Sequence, residues 1–193
     1  RDIGIDLHGS LLKGWLSYDI ALMNGAGRNK ADDNSQKDFV VRLGVHPAQW
    51  LTLSGSLLKG TGNIEVYRNE AGQIVSDLAG IHNGNYRRDR YAIGAEIKTR
   101  PVNLRTEYMS GKDGNETSNA IYATGSINNI MKNIDLVASY DYLDIWSGKT
   151  NRYSAGLQYW FYPRCRVQLG YGLSDTEGLH KENCILTQIQ VRF

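Results

Sequence analysis

The chain has 193 residues, 41% hydrophobic and 22% charged, with a formal net charge of +2. That charge, spread without a dense run of Lys or Arg, gives no footing for a nucleic-acid partner. No stretch approaches the ~18 to 20 continuous apolar residues of a membrane-spanning helix, but a transmembrane β-barrel stays open because lipid-facing and lumen-facing residues alternate and average out.

The residue types favour strands and tight turns: 12 Tyr, 4 Trp and 21 Gly stand against only 3 Pro. The chain opens inside an alternating pattern, Asp2-Ile3-Gly4-Ile5-Asp6-Leu7-His8, without Met or an apolar signal core. This start suggests a fragment or a processed chain. After a short turn, Leu16, Tyr18, Ile20 and Leu22 oppose Ser17, Asp19, Ala21 and Met23. A polar connection over 25–36 leads to Phe39, Val41, Leu43 and Val45, which oppose Asp38, Val40, Arg42 and Gly44. The turn at 46–49 is short, and Leu51, Leu53 and Leu57 then oppose Thr52, Ser54 and Ser56.

A long polar connection, 61–86, precedes Tyr91, Ile93, Ala95 and Ile97, with Arg90, Ala92, Gly94, Glu96 and Lys98 between them. Beyond the Arg100-Pro101 turn, Val102, Leu104, Thr106 and Tyr108 alternate with Asn103, Arg105 and Glu107. The phase of 120–126 is ambiguous. Ile134, Leu136, Ala138, Tyr140 and Tyr142 oppose Asp135, Val137, Ser139, Asp141 and Leu143. Next, Tyr153, Ala155, Leu157, Tyr159 and Phe161 oppose Arg152, Ser154, Gly156, Gln158 and Trp160, and Val167, Leu169, Tyr171 and Leu173 oppose Arg166, Gln168, Gly170 and Gly172. The last run sets Ile185, Ile189, Val191 and Phe193 against Cys184, Leu186, Gln188, Gln190 and Arg192.

A period of two over about 9 to 13 residues, repeated about 11 times, marks strands longer than the ~5 to 6 residues usual in soluble sheets. Tilted strands that cross a bilayer need ~9 to 11. Short connections alternate with longer, more polar ones, and all three prolines sit in the short ones. The fold class is therefore all-β, an antiparallel transmembrane β-barrel carried by one domain over 1–193. Aromatics near strand ends (Tyr18, Tyr91, Tyr108, Tyr142, Tyr153, Tyr159, Phe161 and Phe193) fit interfacial girdles, with outer-membrane lipid as the neighbour.

The face opposite the apolar one carries the candidate pore-lining residues Arg42, Arg90, Lys98, Arg105, Glu107, Arg152, Arg166 and Arg192. Asp6, Asp19, Asp38, Glu96, Asp135 and Asp141 share that face, so the signs nearly balance, as in a polar wall of compensating pairs. Such a wall suits passive diffusion of small hydrophilic solutes or anions. Cys165 and Cys184 begin consecutive antiparallel strands at opposite ends, beyond disulfide reach, and are expected as free thiols. His8, His46, His82 and His180 have no metal spacing, no cofactor is implied, and no Gly-x-Ser-x-Gly occurs.

Three rival readings remain. A non-channel barrel acting as an adhesin or surface enzyme would need an ordered pair such as Ser10 or Ser139 with His8. A soluble all-β binding protein would have to bury Arg105, Glu107, Glu96 and Lys98. Connection 61–86, with Glu65, Glu70, Asp77 and the following Arg87-Arg88, could carry recognition.

The final run, Gln190-Val191-Arg192-Phe193, resembles the C-terminal signature by which outer-membrane barrels are recognised by the assembly machinery, with Phe193 as its signal. The opening Arg1-Asp2-Ile3-Gly4-Ile5-Asp6-Leu7-His8-Gly9, with Tyr18-Asp19-Ile20-Ala21-Leu22-Met23-Asn24-Gly25, resembles the phosphate-selective porin O and P family. That resemblance implies a homotrimer of 16-stranded barrels in a Gram-negative outer membrane, of which this chain is the C-terminal part. It implies that about five strands and the pore-narrowing loop precede it. It also implies phosphate as a solute, although the cations that select phosphate would lie largely in that preceding part.

Overall fold

The computed structural model describes residues 3–25, 36–63, 67–68, 74–75 and 85–192. Strands form where the period-two pattern runs: β1 (Gly4–Leu11), β2 (Leu16–Met23), β3 (Asp38–Ala48), β4 (Leu51–Asn63), β5 (Tyr67–Arg68) and β6 (Ile74–Val75). The remainder are β7 (Asn85–Lys98), β8 (Val102–Asp113), β9 (Glu116–Met131), β10 (Ile134–Ile145), β11 (Gly148–Tyr162), β12 (Cys165–Thr176) and β13 (Glu182–Gln190). Among the described residues the other regular element is a 3-10 turn at Leu12–Gly14. Eleven strands form one sheet in the order β1-β2-β3-β4-β7-β8-β9-β10-β11-β12-β13, the number the alternation gives, and β5 pairs with β6 separately. β1 and β13 close that order, each with a single neighbour.

Two compact units divide the chain. The first takes Arg1–His46, Ser54–Ile93 and Met109–Ser118, and the second takes Pro47–Leu53, Gly94–Tyr108 and Asn119–Phe193. Within the first, β1 and β2 pair without a slip from Gly4↔Met23 to Leu11↔Leu16, and β2 continues onto β3 from Leu16↔Val45 to Met23↔Asp38. Within the second, β10 to β13 pair in register, so Val137, Gly156, Gly170 and Leu186 form one row across four strands.

Several connections differ from the sequence reading. The stretch at 61–86 is not all loop: β4 runs on to Asn63, the β5–β6 pair lies inside it and β7 starts at Asn85. The connection at 111–116 shrinks to Gly114-Asn115, and that at 146–150 to Trp146-Ser147, because the strands extend past their apolar stretches. The phase at 120–126 is now fixed. Ala123, Gly125 and Ile127 pair with Tyr140, Ala138 and Leu136 on the apolar face, and Tyr122, Thr124 and Ser126 pair with Asp141, Ser139 and Val137 on the polar one. The small residues Ala120, Ala123 and Gly125 hide this alternation in the sequence.

A conventional core is missing from the described residues. Only Ala21, Ala92 and Cys165 are buried hydrophobics, and no large side chain is fully enclosed. Instead the apolar face is laid open along whole strands, with Ile5 at 78% exposure, Ile93 at 62%, Leu157 at 47% and Ile189 at 68%. Exposed apolar surface on this scale marks a face that something apolar covers.

That face has the chemistry of a bilayer wall. On β8 to β11 the rings of Tyr108, Tyr140 and Tyr142 direct their hydroxyls to Asn119, Asn151 and Asp144. Tyr140 and Tyr153 pack tilted at 5.1 Å between centroids. Six and eight residues further along β11 come Tyr159 and Phe161, so the band between the aromatics measures about 20 to 26 Å along the strand. The band of an outer-membrane barrel is of that order.

Candidate functional site: the polar face of the sheet

The polar face carries the side chains that alternate with the apolar ones, and its geometry sorts the candidate residues into three kinds. The first kind is neutralised. Arg90 on β7 gives Nη2–H to both carboxylate oxygens of Asp113 at 2.7 and 2.6 Å and Nη1–H to the carbonyls of Asp89 and Lys112. Lys98, the last residue of β7, reaches Glu96 at 2.9 Å.

The second kind is exposed and without a carboxylate contact. Arg42 on β3 lies directly opposite Asp19, and Arg152 on β11 directly opposite Asp141. Neither guanidinium forms an ion pair among the described residues. Arg192, beyond β13, is likewise exposed and free of ion pairs among them. Cations and anions that face each other across a strand gap, each still hydrated, make a wall that attracts solutes of both signs.

The third kind is held by neutral groups. The guanidinium carbon of Arg105 stands 5.8 Å from the ring centroid of Tyr122, whose hydroxyl donates to Glu107 at 2.9 Å. Arg166 lies over Trp160 at 5.2 Å. Its Nε–H goes to the carbonyl oxygen of Gln190 at 2.9 Å, and Nη1–H to that of Gln158 at 2.6 Å. Phe193, the expected assembly signal, lies outside the described residues.

Register gives several polar-face residues partners that the sequence did not. Arg88, read with the loop, pairs with the buried carboxylate of Asp38 at 2.5 Å and also donates to the Gly25 carbonyl. Asp38 accepts Thr61 N–H as well. Asp135 is buried and takes the Trp160 indole N–H at 2.7 Å and the Asn129 backbone N–H at 2.8 Å, where β9 bulges against β10. The strand parity of Asp38 and Asp135 was legible, but their partners depend on register.

The β1–β2 register also joins Asp6, His8 and Asp19, one ligand atom of each lying within 4.8 Å of the others. A search for linear metal spacing passes over this arrangement because one of its three members, Asp19, comes from the facing strand. His8 Nδ1 already contacts Asp6 at 3.0 Å, and all three side chains are exposed. The proposed serine–histidine pairing is not formed: the hydroxyl of Ser139 bonds that of Ser154 at 2.7 Å. The pair that does form is Ser17 with His46, at 3.1 Å.

Both thiols are free, Cys165 buried and Cys184 exposed. Cys184 faces Gly172, seven residues along β12 from Cys165 and about 23 Å away, beyond disulfide reach. In the connection after β12, Lys181 donates a hydrogen bond at 2.9 Å to Asp175, near the end of β12, and that bond is the chief cause of a lysine pKa above its ordinary value.

No protein-family model and no curated protein sequence matches the chain. Solved structures do. An outer-membrane protein of Vibrio cholerae, OmpT in its trimer form, superposes over 91% of this chain and 55% of its own, at a TM-score of 0.63 and 15% identity. An anion-selective porin from Comamonas acidovorans matches over 89% and 48%, at 0.64 and 12%. The outer-membrane channel DcaP of Acinetobacter baumannii matches over 99% and 63%, at 0.67 and 11%. The chain thus spans about half to three-fifths of the length of these proteins. At such identities the likeness is one of fold, and that fold is the antiparallel β-barrel wall of outer-membrane porins.

Proposed function

We propose that this chain forms the C-terminal part of a single outer-membrane barrel domain, one that lets small hydrophilic solutes diffuse passively through its lumen. One observation carries the reading: strands that bury almost no apolar side chain expose an unbroken apolar face, while the opposite face is polar and charged. Water cannot stably wet the first face and lipid cannot accept the second, so the sheet belongs between a bilayer and an aqueous channel. The unpaired sides of β1 and β13 would be costly in lipid. Strands beyond residues 1–193, about five if the barrel has 16, complete the wall.

On this reading Phe193 serves the assembly machinery, the protein works as a homotrimer and it catalyses no reaction. The opposed pairs Asp19/Arg42 and Asp141/Arg152 make a general diffusion pore of low charge selectivity. Phosphate preference, the narrower possibility raised by the resemblance to porins O and P, rests on that resemblance alone, and equal permeability to anions and cations in planar bilayers would contradict it. Proteoliposome swelling tests the channel. Liposomes carrying the detergent-folded polypeptide should swell in isotonic arabinose and stay unchanged in isotonic dextran. Equal behaviour in both sugars contradicts the reading.

A further inference from the structure

Resting on that channel reading, we infer that the polar face of β11 to β13 holds a binding subsite for a small hydroxylated organic monocarboxylate, centred on Arg166. A free arginine in a pore is a mobile charge, whereas Arg166 is fixed on three sides. Trp160 underlies it, Gln158 takes Nη1–H and Gln190 takes Nε–H. The second hydrogen of Nη1 and both of Nη2 have no protein acceptor among the described residues. Pre-placed guanidinium N–H groups of this kind suit the two oxygens of a carboxylate.

The amides extend the same polarity. A guanidinium can only donate, so the Gln158 and Gln190 side-chain carbonyls are committed to Arg166, and each amide keeps an NH2 with no hydrogen bond among the described residues. Gln158 also begins a row, Gln158–Gln168–Gln188, in direct register across the three strands. The nearest carboxylate in register is Asp135, directly opposite Gln158. It is buried, with both oxygens occupied by Trp160 and Asn129, and so does not compete for the guanidinium.

Beside the amide row the wall falls away. Gly156 and Gly170 face each other without side chains, and a recess of about 220 Å³ opens over them, edged by Val137, Leu186, Gln168 and Gln188. Its floor is bare backbone with short apolar sides, which accepts a carbon chain. The glutamine amides both donate and accept, as hydroxyl groups require. A phosphate dianion has no use for such a floor and calls for more than one cation, whereas a monocarboxylate needs one.

The test uses the full polypeptide folded in detergent, with sodium gluconate as probe and sorbitol and inorganic phosphate as comparators. Added gluconate should block the planar-bilayer current of the native protein at lower concentration than either comparator. Arg166→Gln should raise its half-blocking concentration at least tenfold, Gly170→Val, whose Cβ meets nothing nearer than 3.6 Å, should raise it severalfold by filling the recess, and Arg152→Gln should change it less than twofold. Gluconate should also shift the Trp160 fluorescence, isolated by subtracting a Trp160→Phe variant, whether or not the protein conducts. Should Arg166→Gln fail to fold, Gln158→Met, which frees the guanidinium without removing it, should still weaken the block. Phosphate blocking more tightly than gluconate, or gluconate block indifferent to these variants, overturns the subsite. Channels that conduct but show neither block nor a Trp160 signal refute the subsite and leave the pore standing. A folded protein that binds gluconate at Trp160 without conducting refutes the pore instead.

Discussion

The guanidinium of Arg166 lies 5.2 Å from the ring centroid of Trp160, and the indole N–H beneath it is given to Asp135 at 2.7 Å. Three consecutive strands are thereby locked through their polar face. Asp135 also holds the bulge in β9 by accepting Asn129 N–H. Replacing it with Ala would strand two donors in a buried site, at a cost of about 2–4 kcal/mol. Asp135→Asn should cost less, because its carbonyl can still accept one of them. The temperature at which the folded, fast-migrating gel band converts to the unfolded one measures both.

Along β4, glycine has different meanings at two positions. A Cβ on Gly60 would fall on the Asp38 carboxylate and push it off Arg88, whereas one on Gly55 would come no nearer than 3.8 Å to a neighbour. Gly60→Ala should therefore destabilise by about 1–3 kcal/mol, through overpacking and a weakened buried pair. Gly55→Ala should stay within about 0.5 kcal/mol of the parent. The same band-shift measurement on both variants gives the contrast, and equal effects would contradict it.

How a cation is paired decides what it contributes to selectivity. Arg152 is solvated and free of ion pairs among the described residues, while Arg90 is spent on Asp113. Arg152→Gln should move the reversal potential under a salt gradient toward cation preference. The double variant Arg90→Gln with Asp113→Asn removes one charge of each sign and should leave it where it was. If the double variant shifts the potential as far as Arg152→Gln does, this division of the wall is wrong.

Arg164 closes the Pro163–Arg164 turn between β11 and β12 with φ at +71°, a left-handed conformation that an L side chain resists. Glycine adopts it freely. Arg164→Gly should stabilise by up to about 1 kcal/mol, less what glycine's greater freedom in the unfolded chain takes back. Chemical denaturation from detergent micelles, compared with the parent, reads the sign.

Strand identity, number and facing were legible because a two-faced strand repeats one bit of information every two residues, and β10 to β13 repeat it without a break. The phase of β9 was not legible, since Ala120, Ala123 and Gly125 are too small to declare a side. The limits of the 61–86 connection were hidden because β4 and β7 extend beyond their apolar stretches in polar residues such as Asn63 and Asn85. The candidate cations could be named from parity alone. Their sorting into paired, solvated and amide-held groups follows from register, which is set by turn lengths and bulges that residue types only weakly specify. Thus Arg42 and Arg90 look alike in the sequence and differ in the sheet.

A channel needs a water-filled lumen, and single-channel recording detects one most directly. The full polypeptide, folded in detergent and added to a planar bilayer under a salt gradient, should give discrete ohmic steps with a reversal potential close to zero, as a wall of opposed charges requires. A heat-modifiable, well-folded protein that produces no steps would contradict the channel.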